Sequence, residues 1–78
     1  MPTVWIEGPY RFFWYSGDRT EPPHVHVERD QDTAKFWLDP VSLERNNRFS
    51  AKEIRTIRKI VELHREEWLE RWRREFGN

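Results

Sequence analysis

Cysteine is missing from all 78 residues, which excludes disulfide bonds and thiolate metal sites. A long apolar run is missing too, and 36% of the residues are charged, which excludes a membrane-spanning helix. Net charge is zero at neutral pH, so the chain lacks the strongly basic footprint of a dedicated nucleic-acid binder. No glycine-rich phosphate loop is present, nor a Ser/His/Asp order that would mark a covalent nucleophile. ATP-dependent and covalent-nucleophile enzymes are thereby disfavoured, and no cofactor is expected. The start, Met1-Pro2-Thr3-Val4-Trp5, has no basic region followed by an apolar one, so a cytoplasmic location is expected.

What the chain does have is rings. Twelve aromatics, five of them tryptophan, are heavy for one small domain spanning residues 1–78. A chain this short buries only roughly 60% of its unfolded surface. Large side chains that bury much area each offset that handicap. Charge is also unevenly placed. Residues 1–44 hold four Lys/Arg against eight Asp/Glu, and residues 45–78 hold ten against six, a −4/+4 split. Together with the surplus of rings, the split points to association with a second copy or with another protein.

Alternation and turn residues predict a small, mostly antiparallel sheet of three to four strands within residues 3–38. Thr3 to Glu7 reads as a short strand ended by Gly8-Pro9, and Tyr10 to Ser16 as a central strand with rings on both faces. Residues 17–23, punctuated by glycine and proline, read as a loop. His24–Arg29 and Thr33–Leu38 form a hairpin around Asp30-Gln31-Asp32. That register sets His26 opposite Lys35 and His24 opposite Trp37, with Val25, Val27, Ala34, Phe36 and Leu38 on the core face. Asp39-Pro40 is expected to end the sheet, and residues 41–48 to cross over to a helical part at 50–76.

That helical part is well marked. Ser50-Ala51-Lys52-Glu53 reads as a capping box, with Phe49 and Ile54 as a staple. Apolar positions recur at 54, 57, 61, 64, 68, 72 and 76, and Gly77 is the natural stop. One long helix, or two consecutive ones broken near Leu63-His64, would pack on a single face of the sheet. The fold class is α+β.

Chemistry has its clearest foothold in Glu21-Pro22-Pro23-His24-Val25-His26-Val27-Glu28. His24 and His26 share one strand face, and histidine both titrates near neutrality and binds metals. As a catalytic pair, His26 would be the base and His24 the acid on a phosphodiester, with Lys35 or Arg11 steadying the charge that develops. As a metal site, the pair needs a third ligand, for which Glu28, Asp39 and His64 are the candidates. The bland reading is two surface histidines, one stacked on Trp37. For binding, Arg11 and Trp37 are candidates, and Arg48, Lys52 and Arg55 cluster around the first turns of the helix. A solvated face is the plain reading of that cluster, a phosphate- or acid-binding patch the sharper one. His64, inside the apolar stripe, reads as a packing residue.

The motifs Glu21-Pro22-Pro23-His24-Val25-His26-Val27 and Ala34-Lys35-Phe36-Trp37-Leu38-Asp39-Pro40 resemble a family of small bacterial proteins known only as a domain of unknown function. Met1-Pro2-Thr3-Val4, Tyr10–Ser16, Phe49-Ser50 and Trp72…Phe76-Gly77 extend the resemblance over nearly the whole chain, and Pro9 departs from it where glycine is expected. The resemblance implies one half of a two-gene module suggestive of toxin–antitoxin pairs, and it carries no catalytic residues. The resemblance does not choose the role; the expected function is a toxin-like component acting on RNA and neutralised by a small cognate protein encoded by an adjacent gene. The alternatives are a non-enzymatic binding module (an antitoxin or adaptor) and a His-x-His metal-binding protein.

Overall fold

In the computed structural model, which describes residues 3–77, five strands precede one helix. They are β1 (Thr3–Glu7), β2 (Tyr10–Phe13), β3 (His24–Arg29), β4 (Asp32–Leu38) and β5 (Val41–Asn47), followed by α1 (Ala51–Phe76). A single turn of 3₁₀ helix, Ser16–Thr20, interrupts the passage from β2 to β3. The strands pair antiparallel in simple sequence order, β1-β2-β3-β4-β5.

The α+β expectation holds, with one strand more than foreseen. Residues 41–47 do not cross over; they form edge strand β5, pairing with β4 from Leu38↔Val41 to Thr33↔Asn47. Pro40 does not end the sheet, because it sits in the two-residue turn Asp39-Pro40, where no ladder donor is required. The β3–β4 hairpin has the register read from its alternation: His24↔Trp37, Val25↔Phe36, His26↔Lys35 and Val27↔Ala34. At its turn, Asp30 takes the left-handed conformation (φ +56°), which aspartate tolerates.

Period-two alternation divides the sheet into two faces. Val25, Val27, Ala34, Phe36 and Leu38 are buried against the helix, joined from β2 by Phe12 and, just beyond it, by Trp14. The helix contributes Ile54, Ile57, Ile60, Val61, Trp68, Leu69 and Trp72. Phe12 packs on Trp68 at 5.2 Å and Trp14 edge-on to Trp72 at 5.1 Å between ring centroids. The tryptophans belong chiefly to this core.

The helix is unbroken through Leu63-His64, about 39 Å long at 1.5 Å per residue. Ser50 caps it, its Oγ accepting from the Glu53 amide at 3.1 Å. The reciprocal half of the expected box gives way to a longer-range contact. Glu53 Oε1 and Oε2 lie 3.0 and 2.9 Å from Arg29 Nη2, and Oε2 also accepts from the Tyr10 hydroxyl at 3.2 Å. Those bonds tie the first helical turn to β2 and β3. At the other end Gly77 (φ +80°) closes the helix, donating its amide to the Arg73 carbonyl. His64 packs as read from the stripe, stacked on Trp68 at 5.0 Å.

Candidate functional site

The 3₁₀ turn between β2 and β3 brings an acidic residue onto the histidine pair. Asp18 accepts the Tyr15 amide on Oδ2 at 2.9 Å, and the turn closes with Asp18 N–H on the Tyr15 carbonyl at 3.0 Å. That places Asp18 Oδ2 3.0 Å from His24 Nε2 and 3.1 Å from His26 Nε2. The two imidazoles meet edge to face, centroids 5.1 Å apart. Asp18, His24 and His26 are the one group of three potential metal ligands found among the described residues. Glu28 bonds Arg11, Asp39 bonds Arg65, and His64 lies beside Glu7 and Glu67, so none of the three expected third ligands joins the histidines.

His24 and His26 differ sharply in access. His24 is fully buried, its ring set against Trp37 (5.7 Å) and Trp72 of the helix (5.2 Å). Its Nδ1 lies 3.0 Å from the Pro22 carbonyl oxygen, which fixes that nitrogen as the donor. In this position His24 has no surface from which to protonate a bound substrate, so the acid role expected of it is not available. The reason is the turn at 16–20 together with Trp72, which close over the start of β3. His26 is half-buried, stacked on Phe13 at 5.3 Å and tilted against Tyr15 at 5.3 Å.

The electrostatics follow from this packing. Burial pushes the His26 pKa below its usual value, and Asp18 offsets the shift only in part. For Asp18, burial alone would raise the pKa; the Tyr15 amide and the two imidazoles outweigh it and hold the carboxyl below its usual range. Lys35 is buried along its stem, with Nζ 2.6 Å from Glu21 Oε1 and 4.8 Å from the centre of the Trp37 ring. Its charge is therefore already compensated.

A cleft of about 220 Å³ opens beside the cluster, lined by Phe13, Tyr15, His26, Thr33, Lys35 and Arg45. Tyr15 is 47% exposed, whereas Phe13 is covered, its ring under the Arg11 guanidinium at 4.2 Å. Arg11 itself donates to Glu28 and Thr3. Arg45, on β5, is exposed and was missed because residues 41–48 carried no strand signal beyond Leu43. A larger depression of about 430 Å³ lies along the helix, but its walls are Glu67, Arg71, Arg74 and Glu75, of both signs and without a ring.

The basic trio Arg48, Lys52 and Arg55 is not part of this site. Arg48 occupies the β5–α1 connection with φ +89° and donates to Gln31 at the β3–β4 turn, the opposite end of β3 from His24. Lys52 and Arg55 lie on exposed helical positions. Asp18 was the residue hidden from sequence reasoning, since a loop has no periodicity to betray it.

A five-stranded antiparallel meander, covered on one face by a helix and carrying a histidine–aspartate cluster at its other face, defines a small α+β protein. No curated protein and no solved structure matches the chain. Residues 10–73 match the family described as a domain of unknown function, DUF4160, and the chain belongs to that family. The matched span runs from β2 to the last turns of the helix and so contains the whole cluster.

Proposed function

We propose that the protein is the toxin-like component of a two-gene module, acting on RNA at the open face of its sheet and held in check by a small protein encoded beside it. The observation that carries this reading is the cleft, where the exposed Tyr15 ring stands with His26, Lys35 and Arg45. Bases of single-stranded RNA stack on such rings, and a cation beside them, here Arg45, meets the phosphates. Among the described residues the Arg45 side chain makes no hydrogen bond or ion pair, which leaves its charge for a ligand. Edge strand β1, with Trp5 and Ile6 exposed, is the surface this reading assigns to the partner protein. This reading expects the protein to act in the cytoplasm.

The experiment is expression alone and together with the neighbouring gene, followed by incubation of the purified protein with a mixed RNA pool. Slowed growth that the neighbour relieves, with shortened RNA in vitro, is the expected result. Unaffected growth together with an intact RNA pool contradicts it. A second reading, a non-enzymatic binding module, is favoured by the burial of His24 and the pairing of Lys35 with Glu21. It predicts complex formation with the neighbour and no change in the RNA.

A further inference from the structure

The cluster at the start of β3 contains a nitrogen that the protein's own hydrogen bonds leave out. His24 Nδ1 donates to the Pro22 carbonyl, so in the neutral ring Nε2 carries the lone pair. That Nε2 is fully buried, has no hydrogen-bond partner, and lies 3.0 Å from the Asp18 carboxylate. A lone pair and a carboxylate oxygen repel at that distance unless a cation is shared between them. A second proton on the ring would serve, at the cost of an imidazolium with no access to water. A metal ion serves without that cost.

We infer that Asp18, His24 and His26 bind a divalent transition-metal ion of the zinc class through Asp18 Oδ2 and the two Nε2 atoms. All three donor atoms lie within 4.8 Å of one another. Asp18 Oδ2 stands 3.0 and 3.1 Å from the two nitrogens. Bonds of about 2.0–2.1 Å at tetrahedral angles set ligand atoms roughly 3.3 Å apart, so each of those two separations needs to open by only a few tenths of an ångström. Two imidazoles and one carboxylate suit zinc and its neighbours, whereas calcium and magnesium prefer oxygen alone. The surroundings are those of a ligand set as well. Metal-bound histidines donate their second N–H to a carbonyl or carboxylate, and bound carboxylates accept further hydrogen bonds. Pro22 O takes the His24 proton, and the Tyr15 amide donates to Asp18. Ligation through His26 Nε2 moves that ring's proton to Nδ1, and the ion takes the place of the Nε2–Asp18 hydrogen bond. Three protein ligands leave one coordination position, the pattern of catalytic rather than structural zinc, and His26 also lines the Tyr15 cleft.

This site stands independently of the RNA reading, and so does its test. Chelator-stripped protein is titrated with Co²⁺, whose visible absorption reports coordination, and then with Zn²⁺ in competition. The expected result is saturation at one Co²⁺ per chain, displacement by Zn²⁺, and at least about a hundredfold weaker binding in both Asp18→Asn and His26→Ala, beyond the loss typical of an outer-shell partner. Because His24 is a core residue, the test rests on wild type and on Asp18→Asn, whose side chain sits on a surface turn, with circular dichroism confirming the fold. Absence of saturable Co²⁺ binding, or equal affinity in a folded Asp18→Asn, overturns the assignment. RNA is absent throughout, so a failed growth assay leaves a positive titration standing, and the reverse holds too.

Discussion

The two faces of the sheet are built from the same strands yet hold their residues by different means. On the helix side Phe12, Val25, Val27 and Phe36 have no exposed surface, and dispersion and dehydration keep them there. On the other side Arg11, His26, Glu28 and Lys35 are held by polar partners: Glu28 for Arg11, the Asp18 carboxylate for His26, Glu21 for Lys35. A pair as open to water as Arg11–Glu28 contributes little to stability. One face therefore supplies the folding free energy, and the other is left to arrange charge and rings around a cleft.

Truncation separates the faces most strongly. Phe36→Ala removes a fully buried ring facing the helix and should cost about 3–5 kcal/mol, read as a lowered urea midpoint with an unchanged slope. A loss below about 1 kcal/mol would show that the helix does not pack there. Next in size is the cap: Ser50→Ala should cost about 1 kcal/mol, and an unmoved midpoint would place the helix start elsewhere.

Glu53 sharpens the comparison through pH. The hydrogen bond from Arg29, helped by the Tyr10 hydroxyl, holds its carboxyl below the usual value. A depressed carboxylate contributes stability above its unfolded pKa, and that contribution fades as pH falls through the folded pKa. Stability should thus decline below about pH 4.5, and Glu53→Gln should flatten that acid limb. An identical acid limb in the variant would assign the decline to other carboxylates. Smallest of all is Tyr15→Ala on the open face, expected to move stability by no more than about 0.5 kcal/mol. A larger loss would mean that this face, too, is core.

Legibility in the sequence followed the same division. The β3–β4 register could be read because Val25, Val27, Phe36 and Leu38 alternate with polar residues, so a slip would expose them. Ser50 and the apolar stripe announced the helix. Strand β5 was hidden because Glu44, Arg45, Asn46 and Asn47 are all exposed, and ladder hydrogen bonds rather than burial hold them in an edge strand. Asp18 was hidden for a related reason: it reaches the histidines through one turn of 3₁₀ helix, which leaves no period in the residues around it. The histidine pair was visible, but not the burial of His24, which depends on Trp72 arriving from the far end of the chain.

The claim that the open face binds while the covered face folds is tested most directly by fluorescence anisotropy of a labelled single-stranded RNA, with wild type and the Tyr15→Ala, Arg45→Ala double variant side by side. The account predicts saturable binding by wild type that weakens with salt, and its loss in a variant whose urea midpoint is unchanged. Binding of equal strength by the two proteins, or none by wild type at low salt, would contradict it.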